Sequence, residues 1–320
     1  MSPIPFYTSG VTMAPMAGVT DSAFRRICRR LGATCLVTEM VTAAGLSRRS
    51  VKSKQMLRFH PEEKPIGVQL FGAKPADFAR SAGLVSPLGF SFIDINAGCP
   101  VKRVLRSGSG SALLDDLPRL MEIIRVTSGN THLPVTLKIR LGTTPDRPVP
   151  VEIGEMAADA GACALAVHGR YRTDFFSGDI RLDEMARITV RSPIPVVANG
   201  DSTSAGAAIR MREETGASGI LVGRGAWGDP WIFRAIRGGD PRPGPGELYT
   251  TVMEQLAMMK EAIPEPQVYH IFRGHMVQYF KGFHGASDIR RRAVAAETWD
   301  EVDAVAREAD IAMHEKREQA

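Results

Sequence analysis

Cys99 is the residue of this chain best placed to do chemistry. It stands in Asn96-Ala97-Gly98-Cys99-Pro100, directly after the apolar run Phe92-Ile93-Asp94-Ile95, which predicts a short buried strand. A cysteine held between a glycine and a proline just past a strand end is fixed in place and aimed outward, where it can reach a bound molecule. Nucleophilic cysteines need a nearby base and a lowered pKa. A thiol near its ordinary pKa of about 8.5 instead keeps its proton at neutral pH and can donate it. Nucleophile, acid and inert residue are all open from the residue alone. Hydride delivery to one carbon of a polarised C=C requires a proton at the neighbouring carbon, which the acid reading supplies. The following segment, 101–111, holds Arg106-Ser107-Gly108-Ser109-Gly110 and reads either as a mobile lid over Cys99 or as a plain loop.

Other polar residues sit at the ends of apolar runs: Gln69, Asn96, Lys138, His168 and Asn199. Singly, each has an ordinary structural reading. Lys138 is the hardest to dismiss, because it interrupts Val135-Thr136-Leu137-Lys138-Ile139 and a buried lysine needs a partner. Two glycine-containing turns, Asn199-Gly200-Asp201 and Gly223-Arg224, end the last two runs. Together they predict a phosphate seat, where glycines admit backbone N–H groups and Arg224 adds a charge-assisted contact. A phosphate seat, an inward lysine and a strand-end amide suit flavin mononucleotide. The lysine would face the ring edge that becomes anionic on reduction. Ala14-Pro15-Met16-Ala17-Gly18 could lay backbone and a thioether against that ring, although core packing is the commoner fate of a methionine.

These residues need a frame that gathers strand ends. Eight short apolar runs recur, at 11–15, 35–38, 66–70, 92–96, 135–139, 164–168, 196–199 and 219–222. The spacing leaves room for a helix between each pair, so the pattern predicts βαβ units and a parallel sheet. Eight units ending near residue 240 match a (β/α)8 TIM barrel, whose strand carboxyl ends open onto one mouth. A doubly wound sheet fits less well, because no G-x-G-x-x-G follows the first run. The Pro/Gly-rich segment 237–246 reads as a linker. Beyond it, helical patterns at 247–262, 267–283 and 299–317 predict a small all-helical domain, so the division is 1–240 and 241–320.

The chain has 320 residues, 44% hydrophobic and 23% charged, as a globular protein requires. No apolar stretch is long enough to span a bilayer. The opening Met1-Ser2-Pro3-Ile4-Pro5 lacks a signal-peptide pattern, so a cytoplasmic location is expected. Four scattered cysteines without a C-x-x-C pair argue against a disulfide framework or a zinc site, and no metal is expected. Net charge is +5, with 30 Lys+Arg against 22 Asp+Glu in residues 1–240 and 10 against 13 in 241–320. The excess in the larger part suits an anionic ligand. Two basic clusters, Arg48-Arg49-Lys52-Lys54-Arg58 and Arg273-Lys281-Arg290-Arg291-Arg292, suit phosphate neutralisation, and aromatics interleave with the second. A solvated helix face explains the same residues.

Taken together, the motifs resemble those of the tRNA-dihydrouridine synthase family, most closely its bacterial B-type (NifR3-like) branch. The anchors are Ala14-Pro-Met-Ala-Gly-Val-Thr-Asp21, Thr38-Glu-Met-Val41, Asp94-Ile-Asn-Ala-Gly-Cys-Pro100, Gly110-Ser-Ala-Leu-Leu114, Leu137-Lys-Ile-Arg140, Val167-His-Gly-Arg170, Ala198-Asn-Gly-Asp201 and Gly223-Arg224. The resemblance covers nearly the whole chain. It implies an FMN-binding barrel followed by a helical tRNA-binding domain, with NADPH as reductant. Hydride would pass from the flavin to C6 of a flipped-out uridine, and Cys99 would protonate C5. It implies that Pro15, Met16, Ala17, Gln69, Lys138, His168, Asn199, Gly200, Asp201, Gly223 and Arg224 hold the flavin. It further implies that Asn96 helps hold the uracil. Arg273, Arg290, Arg291 and Arg292 are the expected tRNA contacts, and a monomer is expected. Two other classes stay open: a small-molecule FMN reductase resembling dihydroorotate or dihydropyrimidine dehydrogenases, and a non-catalytic RNA-binding regulator.

Overall fold

Eight parallel strands close into a barrel because each short apolar run finds its neighbours through backbone hydrogen bonds. A computed structural model describes residues 3–315. The last two positions of the helix predicted over 299–317, and Met1-Ser2 of the N-terminal segment, lie outside the described residues. The barrel strands are β1 (Val11–Met13), β2 (Leu36–Val37), β3 (Ile66–Phe71), β4 (Phe92–Ala97), β5 (Val135–Arg140), β6 (Ala164–His168), β7 (Val196–Asn199) and β8 (Gly219–Val222). They follow the eight predicted runs in order. The sheet runs from β1 through β8, β7, β6, β5, β4 and β3 to β2. Thr12 bridges Cys35 in parallel, and the Met13 N–H donates to the Cys35 carbonyl at 3.0 Å, which joins the two ends. Two small pairings were not legible beforehand. Val41–Thr42 adds to β3 beside Leu70 and Phe71. Gly142–Thr144 pairs antiparallel with Arg147–Pro148, with Gly142 at φ +143°.

Alternation along the strands sorts the residues. Outward positions form a core against the surrounding helices, whereas inward ones form a second, smaller core. The inner core holds Ile4, Tyr7, Val37, Phe92, Ala164, Ala166, Val197 and Leu221. Its floor is the short helix α1 (Pro5–Thr8), whose Tyr7 ring lies 4.9 Å from that of Phe92. Phe92 fits because Gly67 faces it; a Cβ there would stand 2.3 Å from the ring. Above this apolar floor the inward positions turn polar: Gln69, Asp94, Asn96, Thr136, Lys138, Arg140, His168 and Asn199. The apolar base fills the barrel, so the polar layer can exist only toward the mouth.

The C-terminal region is helical. It comprises α4 (Glu247–Lys260), α5 (Gln267–Tyr279), α6 (Ala286–Ala295) and α7 (Trp299–His314), taking α2 as Ser22–Arg30 and α3 as Lys102–Leu105. Sequence periodicity predicts only three of these four. Gly282 and Gly285, at φ +83° and +77°, separate α5 from α6, and the arginine run 290–292 falls on α6. The segment read as a linker is pinned rather than loose. Arg234 donates to the carbonyls of Asp240 at 2.9 Å and Arg242 at 2.8 Å, and its guanidinium pairs with Glu247. Ion pairs from α2, Arg26 to Glu261 at 3.1 Å and Arg30 to Glu254 at 2.8 Å, tie the helical region to the barrel. No helix among the described residues is long and apolar enough to cross a membrane.

Candidate active site

Strand register assembles the mouth. Gln69 lies beside Asp94, Asp94 beside Thr136 and Asn96 beside Lys138. Arg140 lies beside His168, and His168 beside Asn199. In parallel pairs such partners face the same way, so residues far apart in sequence form one polar ring.

Cys99 hangs from this ring at three points. Its N–H and that of Gly98 donate to the Asn96 side-chain oxygen at 3.0 and 3.1 Å. The Gly98 carbonyl accepts from Arg140 Nε at 2.9 Å. The Cys99 carbonyl accepts from the Ser111 amide at 3.1 Å and from its hydroxyl at 3.0 Å. Gly110, at φ +61°, leaves room for that contact; a Cβ would stand 2.7 Å from the Cys99 oxygen. The segment 101–111, open between a lid and a plain loop from the sequence, here packs against the Cys99 turn. It folds as α3 and a turn, and Cys99 is already held. Burial pushes the thiol above its ordinary pKa, against the pull of the Val101 N–H, Arg140 and Lys138. The thiol thus keeps its proton at neutral pH.

The predicted cofactor residues converge. Lys138 Nζ donates to Asn199 Oδ1 at 2.9 Å, and Asn199 Nδ2 donates to the Leu221 carbonyl at 2.8 Å. Burial lowers Lys138 to about 8, with Asp94 opposing the shift. His168 is held neutral: burial lowers its pKa well below 6.5, and Lys138, Arg140, Arg170 and Arg224 push the same way. Among the described residues its ring has no hydrogen-bond partner. Asp201 takes bonds from Arg170, at 2.7 Å on one oxygen, and from Arg224 at 2.9 Å. Four cations around a neutral imidazole, with Asp201 the carboxylate that the arginines share, leave a positive seat that an anion would complete. The loops after β7 and β8 touch at Gly225, where a Cβ would stand 1.8 Å from the Ser202 carbonyl oxygen. A Cβ on Gly223 would lie 3.6 Å from Met16 Sδ, so the Pro15-Met16-Ala17 turn meets the seat. Thr20 clamps that turn, accepting from the Met16 N–H at 3.0 Å and donating to its carbonyl at 3.2 Å.

Gln69 is placed differently from a free strand-end amide. It is 1% exposed. Its Nε2 donates to Asp94 at 2.7 Å, and its Oε1 accepts from Asn96 at 2.8 Å. Asn96 spends its side chain on Gln69 and the Cys99 turn. The four arginines expected to meet RNA lie in the helical region and carry partners. Arg273 pairs with Glu297 at 3.3 Å, Arg290 donates to the Phe280 carbonyl at 2.8 Å, Arg291 pairs with Asp288, and Arg292 pairs with Glu308 at 2.5 Å.

Several mouth residues escaped the sequence reading. Arg140 staples two loops, donating to Gly98 and, at 2.8 Å, to the Tyr171 carbonyl. The half-exposed Phe176 ring lies 5.5 Å from the Arg140 guanidinium and 5.4 Å from that of Arg224. Asp94 lies at the root of the Gln69–Asn96 pair. The signal was present for two of them, since Thr136, Lys138 and Arg140, like Asp94 and Asn96, share one face at period two. Lys102, Arg103 and Arg106 on and after α3 are exposed, with no ion pair among the described residues.

An eight-stranded parallel barrel with a polar, cation-rich mouth is an enzyme scaffold. The family model for dihydrouridine synthase (Dus) matches residues 12–316. The tRNA-dihydrouridine synthase B of Pseudomonas aeruginosa is 41% identical over 284 residues, covering 87% of this chain and 86% of the relative. A probable tRNA-dihydrouridine synthase of Mycobacterium tuberculosis is 34% identical over 315 residues, covering 92% and 80%. Among solved structures, morphinone reductase aligns with TM-score 0.52 at 14% identity over 74% of this chain and 88% of that one. Histamine dehydrogenase from Rhizobium sp. 4-9 aligns with TM-score 0.57 at 13% identity over 94% and 62%. These two likenesses concern the fold. The chain belongs to the dihydrouridine synthase family, and is an oxidoreductase of that class.

Proposed function

We propose that this protein reduces a specific uridine of tRNA to 5,6-dihydrouridine, with flavin mononucleotide as resident cofactor and NADPH as reductant. The observation that carries the reading is Cys99: a protonated thiol, fixed at the mouth beside a seat for an anion. In this reading the 5′-phosphate of the cofactor completes the positive ring at His168, Asn199, Gly200, Asp201, Gly223 and Arg224. Pro15, Met16 and Ala17 support the ring system, and Lys138 offers two unspent N–H donors to its pyrimidine edge. Gln69 would line that edge beside Asn96. When bound and reduced, the flavin supplies the hydride that goes to C6 of the base. Cys99 supplies the proton to C5, so the C5=C6 double bond becomes single with one hydrogen added at each carbon. Asn96 borders the uracil and holds the thiol's backbone. The base must leave its stack to reach either group, and the exposed rings of Phe175 and Phe176 offer apolar faces at the rim.

Residues 1–240 would form the catalytic unit and 241–320 the tRNA-binding unit of a cytoplasmic monomer. The test is direct. Purified protein should release FMN on denaturation, identified by mass spectrometry, and with NADPH should form dihydrouridine in unmodified tRNA. A flavin-free protein that leaves tRNA unchanged would end the proposal.

The rim predicts where RNA phosphates lie. Among the described residues, Lys102, Arg103 and Arg106, which follow Cys99 in the chain, have no ion pair, whereas Arg291 and Arg292 pair with Asp288 and Glu308. Replacing the first three with alanine should weaken tRNA binding and flatten its log–log salt dependence by about one for each cation that meets a phosphate. Replacing Arg290, Arg291 and Arg292 together should flatten it less. Titrations at several salt concentrations compare the two slopes.

A further inference from the structure

We propose that Asp94 is a positioning residue for the proton-donating thiol: its carboxylate anchors the accepting end of a relay of two side-chain amides, Gln69 and Asn96, and so tightens the backbone that carries Cys99. The proposal rests on Cys99 as proton donor for its catalytic meaning, but not for its geometry.

Asp94 lies on the inward face of β4 and is 1% exposed. Its two oxygens accept from Thr136 Oγ1 at 2.6 Å and from Gln69 Nε2 at 2.7 Å. An ionised carboxylate can only accept, so Gln69 must turn its amino group toward it. That turns Gln69 Oε1 toward Asn96, whose Nδ2 donates to it at 2.8 Å. Asn96 Oδ1 then faces the N–H groups of Gly98 and Cys99, at 3.1 and 3.0 Å. Backbone N–H groups can only donate. The relay thus has an acceptor-only end and a donor-only end, with two amides between them that could individually point either way. Both ends demand the same sense, and every N–H in the chain points toward Asp94. Bonds aligned in this way polarise one another. Turning either amide would set donor against donor or acceptor against acceptor in a buried site, which is unfavourable.

Burying a carboxylate costs stability unless its charge is used. Here Thr136 alone could be served by any acceptor. What a carboxylate adds is charge at the accepting end: the Gln69 N–H meets it in a charge-assisted bond, stronger than one to a carboxamide oxygen, and there is no donor at 94 to compete with it.

The test is Asp94→Asn in the full-length protein with its cofactor. Single-turnover uridine reduction, started from protein whose flavin is already reduced, should slow about 10²-fold, as a misplaced reacting group does. Independently of substrate, Cys99 should be alkylated by iodoacetamide about fivefold faster as its turn opens more often, followed by mass spectrometry of the Cys99 peptide. Combining Asp94→Asn with Gln69→Glu moves the acceptor-only group one step along the relay, so Asn96 is again told to donate. The alkylation rate should return toward that of the unmodified protein. If Asp94→Asn fails to fold, Gln69→Met cuts the relay with the carboxylate in place and should raise alkylation likewise. Unchanged alkylation in Asp94→Asn, or in Gln69→Met where it stands alone, overturns the proposal, as does a double variant no better than the single. Absence of uridine reduction by the unmodified protein would instead refute the proposed function and leave the alkylation result to decide the relay.

Discussion

Cys99→Ala is expected to slow reduction of uridine in tRNA by about 10²–10⁴-fold, the usual contribution of a positioned proton donor, while NADPH oxidation and cofactor content stay close to normal. The turn is held by its backbone: Asn96 and Ser111 bind the Cys99 main chain, and Arg140 binds the Gly98 carbonyl. Alanine keeps that backbone, so the loss should fall on the proton alone. Burial raises the thiol above its ordinary pKa. The donor form is therefore present below that raised pKa and is lost as pH rises through it. The unmodified protein should lose activity on the alkaline side, and the residual rate of the variant should lack that limb. Single-turnover measurements on tRNA across pH decide the matter. Equal rates in both proteins would remove Cys99 from the chemistry.

Lys138→Met should cost about 10²–10³-fold in dihydrouridine formation, as loss of one preorganised electrostatic donor does, and should reduce the flavin retained through gel filtration. Lys138 is the cation that burial has pushed down to about 8. Its charge is present below that value and lost above it, so the contribution of the ammonium should fade as pH rises past about 8 unless a bound anion holds the proton. Methionine has similar length and no desolvation penalty. The denaturant midpoint of the cofactor-free variant should therefore not fall. A variant that is less stable yet equally active would show that Lys138 serves packing with Asn199 and nothing more.

The division between these residues and their neighbours follows from how sequence information is distributed. Cys99, Lys138, His168 and Asn199 could be picked out because each is a polar residue at the end of an apolar run. That is a local contrast visible in a window of a few residues. The helix α6 was missed because the glycines at 282 and 285 interrupt the helical period just before it, leaving a run of only Ala286–Ala295. Two of the arginines that read as a free basic face, Arg292 and Arg273, are paired with Glu308 and Glu297, residues a linear scan cannot bring beside them. Gln69 read as a free amide for the same reason: its partners Asp94 and Asn96 come from the next strand.

By itself the sequence determined the eight strands, their order, the helical tail and the chemical types gathered at one rim, since apolar periodicity and spacing are properties of the chain. Only the tertiary structure decided which of those groups touch. Register across parallel strands is set by hydrogen bonds between distant segments. Those bonds put Lys138 on Asn199, Arg140 under the Cys99 turn and a buried carboxylate at the root of the amides that hold the thiol.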